Sequence, residues 1–248
     1  MKNPSYYFRN NMYVLDYIRG DVTGDGANDR IFLIGQKENS QAAFADNIMM
    51  VIQNGATGQY MTLPLKENAG YGASLFLADF TKDSVLDILV SIDSGGSGGL
   101  AYYYIYSVSK NQPVLIFDFE VFNQAFPYTV RFLNGYKLEV VNVTMKEQFI
   151  LDITGRGQEY LDEIYKPDGT LKEPIEGWVN PLGGLFPIVR DKKAGTYDLL
   201  AMQRIVGRYN ADSFGYAQTF LTWNGKHFVA MSADVAVFGN DISKEQGD

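Results

Sequence analysis

An all-β fold is predicted by three features of this 248-residue chain: its aromatic and glycine content, a repeated acidic loop, and short apolar runs separated by turns. Tyr (17) and Phe (16) are abundant, and 25 Gly stand against 8 Pro. Aromatic side chains suit half-buried pleated surfaces, and glycine suits frequent tight turns. Heptads and sustained 3.6-residue periodicity are absent, so long helices are not expected. A chain of this length holds one large all-β domain or two small ones, and the repeats favour a single domain over 1–248.

Residues 20–34 read GDVTGDGANDRIFLI, and residues 78–92 read ADFTKDSVLDILVSI. Aligned, both place Asp at loop positions 1, 5 and 9 and Thr at position 3, and an apolar run follows the last Asp. The units continue alike. After Asp29 come IFLIG, a polar stretch, NIMMVIQ, the turn NGATGQ and YMTLPL; after Asp87 come ILVSI, DSGGSGG, LAYYYIYSV, SKNQ and PVLIFDFEV. Each unit thus offers about four short strands. Farther on, Asp198 precedes another strand pair, but counting back from it as position 9 puts Arg190, Lys192 and Ala194 at positions 1, 3 and 5. That loop has lost its acids and is expected to bind nothing. Between these units YTVRFL, YKLEVVNV, QFILDI and EYLDEIYK read as further strands. The repeat units run approximately over 10–66, 71–122, 124–170 and 180–238. Repeated four-stranded units with short edges suggest a β-propeller-like array of four blades, or five if 124–180 is divided differently.

Three aspartates at positions 1, 5 and 9 of a turn gather hard oxygen ligands on one side, which is the chemistry of calcium. In the first loop Asp21, Asp25 and Asp29 are the expected side-chain ligands, Ala27 offers its carbonyl, and Thr23 offers a hydroxyl or a water bridge. Gly26 at position 6 permits the sharp turn. The second loop presents Asp79, Thr81, Asp83, Val85 and Asp87 in the same places, but has Ser84 at position 6 and Lys82 inside, so weaker binding is expected there. One Ca2+ is expected in the first loop, with room for a second in the other. An EF-hand would need Glu at position 12 between helices. Phe32 and Val90 stand there, inside strand-like runs. The competing reading is that Asp, Gly and Asn are turn residues that bind nothing.

The formal net charge is −8 with scattered basic residues, which argues against nucleic acid and anionic membranes as partners. No cysteine is present, so disulfides, Cys-zinc sites and thiol catalysis are excluded. The opening MKNPSYYFRNNMYVLDY has no apolar core or cleavage-type site, so no signal peptide is visible and a cytoplasmic location stays open beside the extracellular or surface one. No segment approaches the ~18 consecutive apolar residues of a membrane-spanning helix, so no membrane insertion is expected.

The run YGASLFLADFTKDSVLDILVSIDSGGSGGLAYYYIY (71–106) resembles an FG-GAP/VCBS repeat, the blade unit of integrin α-subunit propellers. Tyr71-Gly72 stands where that family has Phe-Gly, Ser74 follows at the usual interval, and Asp79, Thr81, Asp83 and Asp87 fall on its calcium loop. Ile92-Asp93 replaces the Ala-Pro of the name. The first repeat, 20–34, matches that loop more closely still, and over the remainder the match fades to pattern level. The resemblance implies a propeller with calcium held in hairpin loops on one face. The short unfused form is similar to VCBS-repeat proteins of Gram-positive spore-formers. Family propellers have seven blades, so a chain this short departs from the pattern.

Asp93-Ser94-Gly95-Gly96 looks like the nucleophile loop of a chymotrypsin-like protease, which needs a His base and an orienting Asp. The single histidine, His227, follows a turn and enters a strand. The repeat register puts DSGGSGG at an inter-strand connection, so it reads as a turn. A glycosidase would need a carboxyl pair, and Asp118, Glu120, Glu139, Asp162 and Glu163 read instead as solvated residues. Tyr102, Tyr103, Tyr104 and Tyr106 form either an aromatic sugar shelf or, more in keeping with blade packing, core. The expected function is a calcium-stabilised, non-catalytic binding or structural module at a cell or spore surface, with a protein or glycan ligand. The alternatives are a polysaccharide-acting hydrolase or lyase on the same scaffold, and a self-assembling structural protein with relic metal loops.

Overall fold

A computed structural model describes residues 11–190, 192–193 and 195–239. The chain is all-β, 54% strand against 9% helix, and its strands form two sheets. The first contains β1 (Met12–Gly20), β2 (Asp29–Gln36), β3 (Phe44–Gln53), β4 (Tyr60–Pro64), β5 (Gly70–Ala78), β6 (Asp87–Asp93), β7 (Ala101–Ser107) and β8 (Val114–Asp118). The second contains β9 (Tyr128–Leu133), β10 (Lys137–Asn142), β11 (Glu147–Asp152), β12 (Glu176–Ile188), β13 (Asp198–Val206), β14 (Ser213–Trp223) and β15 (Phe228–Ala236). Helix α1 (Phe119–Ala125) links the sheets, and α2 (Gln158–Ile164) follows β11.

Every pairing is antiparallel, and each sheet narrows at one place. In the first, β3 meets β5 only at Phe44↔Tyr71 and Ala45↔Gly70. In the second, β9 meets β12 only at Arg131↔Glu176 and Val130↔Gly177. The strands therefore fall into the groups β1–β4, β5–β8, β9–β11 and β12–β15.

Two expectations fail here. EYLDEIYK is not a strand: residues 158–164 form α2, because Leu161 and Ile164, three apart, share the buried side of a helical turn. The third group is left with β9, β10 and β11. The end of PVLIFDFEV is helical too, since Asp118 accepts a hydrogen bond from the Glu120 N–H at 2.8 Å and caps α1.

The groups join through the hairpins that carry the repeated loops. The Leu86 N–H, at position 8 of the second loop, donates to the carbonyl of Asp21, at position 1 of the first (3.4 Å). The Tyr197 N–H, at position 8 of the third, donates to the carbonyl of Asp79, at position 1 of the second (3.0 Å). The β12–β15 group thus follows β5–β8 as β5–β8 follows β1–β4, and β9–β11 stands outside this succession. At the first junction a Cβ on Gly20 would lie 2.6 Å from the Leu77 side chain and 2.9 Å from that of Leu86, so any larger residue there would force those leucines to shift.

One core runs through both junctions, joining Ile31, Leu33 and Met50 to Ile88, Val90 and Tyr104 and on to Leu182, Leu185, Leu199, Ala201 and Leu221. Phe80 sits fully buried between the sheets, with ring contacts to Tyr197 (6.2 Å) and Phe228 (6.5 Å). A second core lies where the second sheet curls onto itself, with Val130, Phe132, Leu138 and Val140 against Ile205, Phe214 and Ala217, closed by Leu161 and Ile164. Truncating Phe80 to alanine should cost about 3–5 kcal/mol in urea unfolding; a loss below about 1 kcal/mol would show that this junction does not hold the sheets together.

Candidate functional site

Both acidic loops lie in equivalent hairpins, β1–β2 and β5–β6. The position-9 aspartate opens the second strand and pairs with the last residue of the first, Gly20↔Asp29 and Ala78↔Asp87. The internal hydrogen bonds repeat as well. Asp29 Oδ2 accepts from the N–H groups of Val22 (2.9 Å) and Thr23 (3.1 Å), and Asp87 Oδ2 accepts from those of Phe80 and Thr81, both at 2.9 Å. Asp21 accepts from Gly24, Asp25 and Gly26; Asp79 accepts from Asp83 and Ser84. Asp25 and Asp83 each accept at 2.9 Å, from Ala27 and Val85 respectively. Ala27 and Val85 therefore meet the carboxylates through their N–H groups.

Positions 4 and 6 turn through left-handed backbone in both loops. Gly24 and Gly26 do so with φ of 74° and 85°, and Lys82 and Ser84 with 62° and 68°. Glycine takes this conformation freely, whereas an L side chain is strained.

The loops differ in their outer partners. In the first, Asn54 Nδ2 donates to Asp25 Oδ2 (2.7 Å) and Thr23 Oγ1 (3.3 Å), and the Gly55 N–H donates to Asp29 Oδ1 (2.8 Å). The Asn54 amide, then the Ala27 N–H, hold the Asp25 carboxyl below its usual range. In the second, Thr81 Oγ1 donates to Asp87 Oδ2 (3.0 Å), but Asp87 Oδ1 is buried with no hydrogen-bond partner among the described residues. Burial pushes the Asp87 carboxyl up to about 6, against the hydrogen bonds from Thr81 and Phe80 and the nearby Ser107 hydroxyl. Lys82 points away from its own loop. Its Nζ donates to Asp198 Oδ1 (3.1 Å) and Thr222 Oγ1 (2.8 Å), tying the second loop to the hairpin that follows it. Sequence reasoning missed Asn54, Gly55 and this use of Lys82. The Asn-Gly pair reads as a turn, and nothing near Lys82 in sequence points to Asp198.

The donor set suits a hard cation in kind: carboxylates and a threonine, with lone pairs left on the Asp25 oxygens after each accepts one hydrogen bond. As the loops stand, backbone N–H groups already supply the positive counterpart. Among the described residues, no three acidic or histidine side chains gather as a metal group. A cation would have to compete with those donors.

The other candidates occupy local roles. Ser94–Leu100 joins β6 to β7, and Ser94 Oγ donates to the Leu100 carbonyl (2.8 Å). The His227 N–H donates to Asn224 Oδ1 in the turn before β15 (3.0 Å). Glu120 pairs with Lys66, Glu139 with Arg131, and Glu163 with Arg208, while Asp162 accepts from Gln158. Tyr103, Tyr104 and Tyr106 are buried, and Tyr104 packs edge-on against Phe119.

Compared with known proteins, the chain is 48% identical over 225 residues to the uncharacterized protein YybI of Bacillus subtilis (strain 168), covering 91% of this chain and 85% of that one. The chain belongs to the YybI family. A family model described as the YybI C-terminal domain matches residues 126–236, which runs from just before β9 to the last residue of β15. The acidic loops at 21–29 and 79–87 lie outside that match.

Relieving the strain at position 6 by Ser84→Gly should raise stability by roughly 0.5–1 kcal/mol in denaturant unfolding, and an unchanged midpoint would count against it. The Asp87 carboxyl holds its proton more tightly folded than unfolded, so its contribution is fully present below about pH 4 and is lost as pH rises through about 6. In EDTA, the stability of wild type relative to Asp87→Asn should fall by about 2 kcal/mol between pH 4 and pH 7. A pH-independent difference would refute the assignment.

Proposed function

We propose that this chain is a non-catalytic, propeller-like binding or structural module of a cell or spore surface, and that its first acidic loop takes a calcium ion. The reading rests on one observation: two loops 58 residues apart, at equivalent hairpins, carry Asp at the same positions and repeat the same hydrogen bonds. The interlocked succession of β1–β4, β5–β8 and β12–β15 supports blades in propeller order, and the surface location follows the family resemblance.

In the first loop Asp21, Asp25 and Asp29 would hold the ion, with Thr23 and Ala27 beside them. Asp25 is the residue to test, because its carboxylate is the most exposed of the three and keeps the most free lone pairs. In the second loop Asp79, Asp83 and Asp87 are the corresponding set, with the strained Lys82 and Ser84 working against it. When bound, calcium would add positive charge to a turn that backbone N–H groups already organise, so its effect on stability is modest.

A second reading is favoured by those same N–H donors. If they alone satisfy the carboxylates, the loops are relic turns in a self-assembling structural protein. The polysaccharide-acting alternative has less support, since Asp118, Glu120, Glu139, Asp162 and Glu163 each have a local partner.

Thermal melts of wild type and Asp25→Ala in EDTA and in ~1 mM calcium separate these. A site with a dissociation constant of roughly 0.1 mM gains about 1.4 kcal/mol at that concentration, a rise of roughly 3–6 °C. A rise in wild type that Asp25→Ala abolishes upholds the calcium reading, and no rise in either protein supports relic turns.

A further inference from the structure

The loop DSGGSGG has a use beyond turning the chain: it reaches from the first sheet onto the second and fixes an arginine. Arg204 Nη2 donates to the Ser97 carbonyl and to Asn210 Oδ1, both at 3.1 Å. Asn210 is held in turn, donating to Ser97 Oγ (3.2 Å) and accepting from Asn180 Nδ2 (3.1 Å). Asn180 also donates to the Gly98 carbonyl (3.3 Å) and accepts from the Trp178 indole N–H (2.8 Å). Asn180 and Gln203, whose Nε2 donates to the Asn180 carbonyl, are 6% and 4% exposed. The guanidinium is therefore held rigidly by a network anchored in buried amides.

Its charge is not cancelled. Arg131, Arg156 and Arg208 each face a carboxylate, whereas Arg204 bonds only neutral acceptors among the described residues, and its Nε is buried with no partner. In a chain of net charge −8, a fixed guanidinium without a counter-ion is a place for an anion.

Beside it lies a hollow of about 280 Å³ whose walls include Arg204, Tyr216, Phe186, Met202 and glycines 98, 99, 183 and 184. The register of β12 shifts on either side of Leu182, and glycines 183 and 184 at the second shift put no side chain into the hollow. A Cβ on Gly183 would lie 2.6 Å from the Gly99 carbonyl oxygen, and one on Gly184 2.6 Å from the Phe186 ring. Phe186 is 50% exposed at the rim, an aromatic surface left open beside the charge.

We propose that this hollow binds an organic carboxylate borne on a single six-membered ring, with Arg204 taking the carboxylate and Phe186 and Tyr216 flanking the ring. The volume suits one such ring, at the small end of ligand pockets. Aromatic acids and uronic acids share this chemistry. The inference rests on the reading of the chain as a binding module and fails separately from it, since the calcium melts read the hairpin loops and the following titration reads the hollow.

Benzoate and glucuronate, with benzyl alcohol and glucose as neutral controls, are titrated into the isotope-labelled full chain while the amide resonances of Gly98, Gly99, Gly183 and Gly184 are followed. At least one acid should give saturable shifts at millimolar concentration, with no comparable effect of its neutral analogue. Benzoate alone would assign an aromatic acid, glucuronate alone a uronic acid, and both a site indifferent to the ring. Arg204→Gln should weaken binding about tenfold or more, and Phe186→Ala, at an exposed position, should weaken it while leaving the spectrum dispersed. Saturation by neither acid, equal binding of the neutral analogues, or undiminished binding by both variants would overturn the proposal.

Discussion

Two carboxylates removed from water set the geometry of the first half of the chain. Asp29 and Asp87 are 0% exposed, and a buried carboxylate is tolerated only where donors converge on it. Each collects the N–H groups at loop positions 2 and 3. Those bonds return the chain from one strand to the next and fix the register of each hairpin. Once a loop is closed this way, the carbonyl at its position 1 is presented outward, where the following hairpin can donate to it. Closure within a loop and docking between loops are thus consecutive uses of the same short segment.

The three hairpins have met this requirement with differing success. In the first, Gly24 and Gly26 turn without strain and every Asp29 oxygen has a donor. The second turns through Lys82 and Ser84 and leaves Asp87 Oδ1 without a donor in good hydrogen-bond geometry. The third has lost positions 1 and 5, yet Asp198 remains buried at position 9. Its carboxylate accepts from Lys82 and Thr222. The position that closes the first two loops here anchors a neighbour's lysine.

Much of this was legible in the sequence, for definite reasons. The alternation of apolar runs and turn residues marks strands whatever their partners, and the Asp-x-Thr-x-Asp-x-x-x-Asp pattern locates both acidic hairpins because its bonds are local. What was not legible depends on contacts between distant segments. EYLDEIYK carries apolar residues at spacings that suit either element, and burial of Leu161 and Ile164 against the curled second sheet decides for a helix. The roles of Lys82 and Arg204 are invisible because Asp198 and Ser97 lie over a hundred positions away along the chain. Unit order was hidden too, since nothing in the strands of β9–β11 announces that the next group will dock on β5–β8.

The family model beginning at residue 126 suggests a natural place to cut the chain, and the cores say otherwise. Of the two cores, the one built on Val130, Phe132 and Leu138 would travel whole with a fragment starting there. Leu182, Leu185, Leu199, Ala201 and Leu221 would not keep their partners, because these pack against the first sheet. Freed of that sheet, the fragment would show water an aliphatic face that the intact molecule never exposes. A boundary drawn by sequence likeness is not here a boundary of packing.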